Sequence, residues 1–134
     1  MSCPFFYALK PLSSTRELRP VPLGEFHRGE CRASAPHLPT DAELRAWCNF
    51  GYARGDCPHF PATAAADAVR FSIAHAEAAA IAVRYCLERD HRPVQYGTLT
   101  FQCAAGVFDP LHSDPIVNRL AEAYVASYLA RRKS

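Results

Sequence analysis

Four cysteines in the first part of the chain are the residues best suited to chemistry. Cys3, Cys31, Cys48 and Cys57 lie within residues 1–61, which also hold eight of the eleven prolines of the 134-residue chain. Proline fixes φ and removes a backbone donor, so we expect this part to lack a long helix or a central strand. Four thiolates are the number that closes a structural zinc site or holds an iron-sulfur cluster. A bound metal centre would explain how such a segment becomes ordered.

The spacing of the four cysteines bears on which metal they would hold. They are separated by 27, 16 and 8 residues, and none of them forms the C-x₂-C pair that is usual in zinc knuckles. Cys3-Pro4 and Cys57-Pro58 match the Cys-Pro ending of a ferredoxin cluster run, although two dipeptides identify no family. We therefore expect an iron-sulfur cluster, for example 4Fe-4S, ahead of zinc, with a redox or electron-transfer role.

The loop between Cys48 and Cys57 has the composition of a segment shaped around a charged centre. Four thiolates around a metal leave net negative charge, which favours nearby backbone N–H donors and a cation. Gly51 and Gly55 permit the positive φ values that aim N–H groups inward, and Arg54 supplies a cation. These three residues are the predicted cofactor-binding positions. Aromatic residues that would shield the centre from water are Phe5, Phe6, Trp47, Phe50, Tyr52 and Phe60.

Other assignments of the same residue types stay open at the level of sequence. Free cysteine is often buried as a small hydrophobic residue, so the four thiols could instead pack in a core. For Cys86 and Cys103, which lie in apolar stretches, core packing is the favoured interpretation. If Cys3 is not a ligand, His27 or His59 becomes the fourth ligand and a Cys₃His zinc site becomes the better hypothesis.

Two helices are predicted from capping and periodicity. Thr40 and Glu43 have the spacing of a capping box, which predicts a short helix that runs to about Cys48. Apolar residues recur at helical spacing from Thr63 to Arg89, which predicts one long and largely buried central helix. The chain is therefore expected to be α+β and mostly α.

The end of the chain completes the predicted architecture. β-branched and aromatic residues between Val94 and Phe108 predict a small β-hairpin. Asp114 as N-cap and Pro115 in the first turn predict a closing helix. We expect a single domain over residues 1–134, in which an irregular metal-binding region, 1–61, packs on a helix-hairpin-helix region, 62–134.

Composition and the first residues of the chain indicate which partners to expect and in which compartment the protein works. The chain has 15 Lys and Arg against 13 Asp and Glu, and the basic residues are scattered, so nucleic acid is not an expected partner. Charged residues interrupt the alanine-rich stretch 62–82, so no membrane segment is expected. The first residues lack the basic and apolar regions of a signal peptide, which predicts a cytoplasmic, reducing location.

Catalysis is left open by the motifs. The sequence contains no G-x-S-x-G, P-loop, H-E-x-x-H or G-x-G-x-x-G pattern, so an ordinary hydrolase, kinase or dehydrogenase is disfavoured. The alternative to a redox protein is a zinc-stabilised, non-enzymatic interaction module whose protein partner is unknown.

Overall fold

The computed structural model of the protein describes residues 2–11, 23, 26–33, 35–52 and 56–132. In chain order the elements are β1 (Phe6–Pro11), β2 (His27–Cys31), α1 (Asp41–Glu43), a π-helical turn (Leu44–Cys48), β3 (Ala68–Ala76), β4 (Ala80–Arg89), β5 (Arg92–Gln102), β6 (Val107–Phe108) and α2 (Pro115–Arg132). β1 and β2 form a two-stranded antiparallel sheet, and β3 to β6 form a four-stranded antiparallel sheet in that order. Of the described residues, 40% lie in strands and 22% in helices. The prediction of a mostly α fold is therefore wrong.

The predicted long central helix, Thr63–Arg89, is the main error, because this segment contains the β3–β4 hairpin. The buried side chains at alternate positions are Val69 and Phe71 in β3, and Ile81 and Val83 in β4. Alternation with a period of two therefore coexists with the helical spacing, and the strand period prevails. The turn over residues 77–79 contains no Gly, Pro or Asn, and it is closed by a hydrogen bond from the Glu77 N–H to the Ala80 carbonyl at 2.9 Å. The sequence therefore contains no turn-forming residue that would divide the predicted helix into two strands.

The expectation that residues 1–61 are irregular is also wrong for β1 and β2. Pro11 is the last residue of β1, and a strand end tolerates the missing N–H that would disrupt a central strand. The capping box is confirmed, since Thr40 Oγ1 accepts from the Glu43 N–H at 3.2 Å and Glu43 Oε1 accepts from the Thr40 N–H at 2.9 Å. The helix that begins there continues to Cys48 as the π-helical turn.

The predicted hairpin and closing helix are confirmed. β5 pairs with β6 across a turn in which Gly106 adopts a φ of 70°. Asp114 caps α2, because its Oδ1 accepts from the Ile116 N–H at 2.9 Å. Neither α2 nor any other helix among the described residues has the length and hydropathy of a membrane span.

One hydrophobic cluster joins both sheets to α2. Its largest fully buried members include Phe6, Leu44, Val69, Ile81, Val83, Val117, Leu120 and Val125. The Arg119 guanidinium of α2 donates to the carbonyls of Ala8 and Leu9 in β1, the second at 2.6 Å. The two-stranded sheet is thereby fixed against α2.

Candidate metal centre

The four cysteines that the sequence singled out line one cavity. Cys3, Cys31, Cys48 and Cys57 contribute to its wall, and its volume is about 20 Å³. A space of that size accommodates about one water-sized sphere. The other lining residues are mostly aromatic: Phe5, Phe6, Ala33, Trp47, His59 and Phe60. Neither Cys86 nor Cys103 lines this cavity.

Two of the cysteines begin matching turns, Cys3–Phe6 and Cys57–Phe60, which we call the Cys-Pro turns. In each, the N–H of the fourth residue donates to the carbonyl of the cysteine at 3.1 Å, and proline occupies the second position that such turns favour. The rings of Phe5 and Phe60 meet edge to face with centroids 5.5 Å apart, so the turns pack on each other. The C-P-x-F pattern, which extends both Cys-Pro dipeptides by two residues, is the sequence signal for this pair of turns.

Backbone hydrogen bonds bring the other two cysteines to the same place. Cys31 ends β2 and exchanges two backbone hydrogen bonds with His37, at 2.8 and 3.1 Å. Cys48 ends the π-helical turn, and its carbonyl accepts from the Cys3 N–H and the Ser2 hydroxyl, both at 3.2 Å. Four separate segments therefore converge on the cavity.

Two residues that sequence reasoning missed fix β2 in position. Asn49 is fully buried, and its side chain bonds the N–H and carbonyl of His27 at 2.9 and 3.1 Å and the Leu44 carbonyl at 3.0 Å. Gly29 lies so close to β1 that a Cβ there would be 2.3 Å from the Tyr7 carbonyl oxygen. β2 is therefore held to the π-helical turn on one side and to β1 on the other.

Burial, with a smaller contribution from neighbouring thiols, keeps Cys3, Cys31 and Cys48 protonated in the absence of a cation. Burial raises the pKa of Cys3 to about 12, although N–H groups directed at its sulfur from Phe5 and Phe6 oppose the rise. Burial, followed by the charges of the other three cysteines, raises the pKa of Cys48, and burial raises that of Cys31. Each of the four thiols thus interacts electrostatically with the other three. A divalent cation would relieve this repulsion and release protons on binding.

The histidines near the cysteines are His37 and His59. The His59 ring lines the cavity, its Nε2 lies 3.4 Å from Glu43 Oε2, and its centroid lies 4.4 Å from that of His37. His37 Nε2 is buried and has no hydrogen-bond partner among the described residues. His27, by contrast, lines a separate groove beside α2. Of the two histidines predicted as replacement ligands, only His59 lies at the cysteines.

The predicted cofactor-binding residues of the loop are only partly described. Arg54 and Gly55 lie outside the described residues. Gly51 adopts a φ of 74°, and its N–H donates to the Trp47 carbonyl at 2.9 Å. A Cβ on Gly51 would lie 3.1 Å from the Ser2 carbonyl oxygen, so glycine at this position both ends the π-helical turn and admits the adjacent backbone.

Tyr52 anchors the same loop to the four-stranded sheet. Its hydroxyl donates to the buried Glu88 carboxylate, and its ring stacks on His91 with centroids 4.1 Å apart. Burial, together with the hydrogen bond to Glu88 and its negative charge, raises the pKa of Tyr52 to about 12. The loop between Cys48 and Cys57 is therefore tied to β4.

The Tyr52 contact predicts a loss of stability in alkaline solution. Folded Tyr52 holds its proton up to a pH of about 12, whereas the unfolded chain loses it near 10, so the contribution to stability is complete below pH 10 and disappears between 10 and 12. We expect Tyr52→Phe to remove this decline, measured as the difference in Tm between the two proteins across that range. Parallel declines in the two proteins would contradict the assignment.

The thiols share a cavity without being arranged around one point. Within residues 2–11, 23, 26–33, 35–52 and 56–132, no group of three or more His, Cys, Asp or Glu side chains stands in metal-ligand geometry. Ligation would therefore require the sulfurs to approach one another, since zinc-sulfur bonds measure about 2.3 Å.

Comparison with known proteins identifies no relative. No protein family model, no curated protein and no solved structure matches the chain. What the protein does is therefore inferred from its own residues.

Proposed function

We propose that Cys3, Cys31, Cys48 and Cys57 bind one metal centre and that a single Zn²⁺ is the first candidate. The observation that carries the proposal is the convergence of four thiols, from four separate segments, on one cavity. A closed Cys₄ site would fasten the two-stranded sheet, the π-helical turn and the Cys48–Cys57 loop to one another. The function would then be that of a metal-stabilised module.

Cavity size and charge favour zinc over a cluster. The volume of about 20 Å³ suits one ion, whereas a 4Fe-4S cluster has eight atoms and would require the walls to move apart. Zn²⁺ accepts four thiolates in a tetrahedral site, and the sulfurs would need to draw inward around it. The ion would also offset the burial and the mutual repulsion that raise the pKa of Cys3 and Cys48.

An iron-sulfur cluster with a redox or electron-transfer role is the second candidate. Phe5, Trp47 and Phe60 in the lining would exclude water, and N–H groups are directed at the Cys3 sulfur. Solvent exclusion and hydrogen bonds to sulfur are two factors that set the potential of such clusters. The same ligands would serve either centre.

We also propose that the protein works in the cytoplasm. Four reduced thiols are maintained in the cytoplasm, where glutathione and thioredoxin oppose disulfide formation, so we place the protein there. All six cysteines are free thiols in the structure. A protein partner is left unidentified.

Metal analysis of protein purified without oxygen tests the proposal. We expect about one zinc per chain and a colourless solution, as a closed Cys₄ site requires. Replacement by Co²⁺ should then give the intense sulfur-to-cobalt charge-transfer absorption of a thiolate site. Iron with acid-labile sulfide and a brown colour would support the cluster instead.

Two results would refute a metal centre at these cysteines. One is protein that contains neither zinc nor iron and does not bind Zn²⁺ added after thiol reduction. The other is bound metal that leaves all four thiols as reactive toward alkylating reagents as they are in chelator-treated protein.

A further inference from the structure

The face of the four-stranded sheet opposite the core carries an ordered set of polar side chains. Cross-strand pairing places Arg70, Cys86 and Tyr96 in one row and Ser72, Arg84 and Thr98 in the next. Because side chains alternate across a strand, all six point to the same face. Their neighbours Phe71, Val83 and Leu99 are buried on the other face. We call these two rows the polar face.

The polar face lines a cavity of about 290 Å³, close to the lower end of the range for small-molecule sites, about 300 Å³. None of the described residues that line it is acidic. The Arg70 guanidinium lies 3.3 Å from Glu88, in the adjoining row of the sheet. Arg84 forms no ion pair or side-chain hydrogen bond with the described residues. One guanidinium is therefore oriented by a carboxylate and the other is available to a ligand.

The chemistry of the polar face fits a ligand that contains both an oxyanion and a flat ring. Guanidinium groups bind phosphate oxygens in a bidentate manner, and the hydroxyls of Ser72 and Thr98, beside Arg84, can donate further hydrogen bonds. The Tyr96 side chain is 76% exposed, which leaves its ring free to stack on a planar group. We propose that the polar face binds a ligand that carries both a phosphate monoester and a planar aromatic ring, such as a nucleoside monophosphate.

The charge balance of the cavity distinguishes this ligand from its alternatives. A cationic ligand would meet two guanidiniums and no lining carboxylate. A purely apolar ligand would leave Arg84 and three hydroxyls without partners, which costs free energy when water is displaced. A long polyanion would need a basic track beyond the cavity, and the net charge of the chain is only +2.

Titration of the protein as purified with AMP, followed by amide chemical shifts, tests the proposal. We expect saturable shifts at residues 70–72, 84–86 and 96–98. Arg84→Gln should weaken AMP binding by about tenfold or more, since a hydrogen-bonded charge pair is lost. Tyr96→Ala should weaken binding of AMP but leave binding of inorganic phosphate unchanged. Arg92→Gln is the matched control, because Arg92 lies at the far end of the β4–β5 hairpin and does not line the cavity.

The remaining outcomes would overturn the proposal. Adenosine binding as tightly as AMP would mean that the phosphate is not recognised. Equal losses in Arg84→Gln and Arg92→Gln would indicate attraction by overall charge alone. A single-stranded RNA oligomer that binds far more tightly than AMP would assign the face to a macromolecule. The absence of saturable shifts with AMP would mean that the polar face is not a site for this ligand.

Discussion

Cys57→Ser protein is expected to lose the proposed metal site and to unfold more easily than the unmodified protein. The apparent binding free energy of a structural Zn²⁺ is about 10 to 16 kcal/mol, and one of four ligands represents about 3 kcal/mol of that total. Because the binding free energy of a closed site is also folding free energy, the loss should appear in urea denaturation and in metal content together. We expect the same direction for Cys48→Ser, with residues 1–61 loosened in both proteins.

Cysteines outside the cavity provide the matched control. Cys103→Ser makes the same change of atom at a half-buried thiol that does not line the cavity. It should keep full metal content, and a small truncation such as Cys86→Ala or Cys103→Ala should cost about 1 kcal/mol. Full metal content in Cys57→Ser, or metal loss in Cys103→Ser, would show that other residues hold the metal. Retention of metal in Cys3→Ser would instead point to His59 as the fourth ligand.

Asn49→Ala is expected to have the second largest effect. It removes the fully buried side chain that bonds both backbone groups of His27 and the Leu44 carbonyl. Buried groups left without partners make the expected loss about 3 kcal/mol of unfolding free energy. Because Asn49 holds β2 against the π-helical turn, metal affinity should fall as well, measured by competition with a chelator.

A second asparagine, Asn118, makes similar hydrogen bonds away from the cysteines. Its substitution is a control that distinguishes an effect on stability from an effect on metal binding. Asn118 accepts from the His112 N–H at 2.7 Å and donates to the His112 carbonyl, at the start of α2 and away from the cysteines. Asn118→Ala should therefore lower stability and leave metal affinity unchanged. If both variants weakened metal binding equally, a general loss of stability would explain the effect, and Asn49 would have no particular role at the site.

The grouping of the four cysteines could be predicted from sequence because it depends on which residue types are present, and not on their long-range contacts. Four thiols in a proline-rich segment predicted a shared site, and these four do line one cavity. His27 could not be separated from His59 without knowing that β2 turns the former toward α2. Asn49 carries no local signal, since two of its three hydrogen bonds are made to His27, which lies 22 positions away in the chain. Sequence therefore indicated the chemical groups but not the contacts that position them.

The fold was harder to predict where two periods fit one segment. Residues 68–89 satisfy both helical and strand spacing, and alanine, a good helix former, supplied most of the ambiguity. These residues form strands because of pairing partners elsewhere in the chain: β5 pairs along β4, and Ser2 pairs with Val69. Capping residues are local and short in range, so the helices at Thr40 and Asp114 were predicted correctly.

The hydrogen bonds that bring Ser2 and Cys3 to Cys48 also bear on how the protein folds and unfolds. The Ser2 hydroxyl and the Cys48 carbonyl are 46 positions apart in the chain, and Arg119 reaches β1 across 111 positions. Contacts of such separation close large loops, so they form after the local hairpins of the four-stranded sheet. Interactions made after the rate-limiting step slow unfolding and leave the folding rate almost unchanged. The cysteine cavity should therefore determine how long the folded chain persists, and the β3–β4–β5 hairpins how quickly it forms.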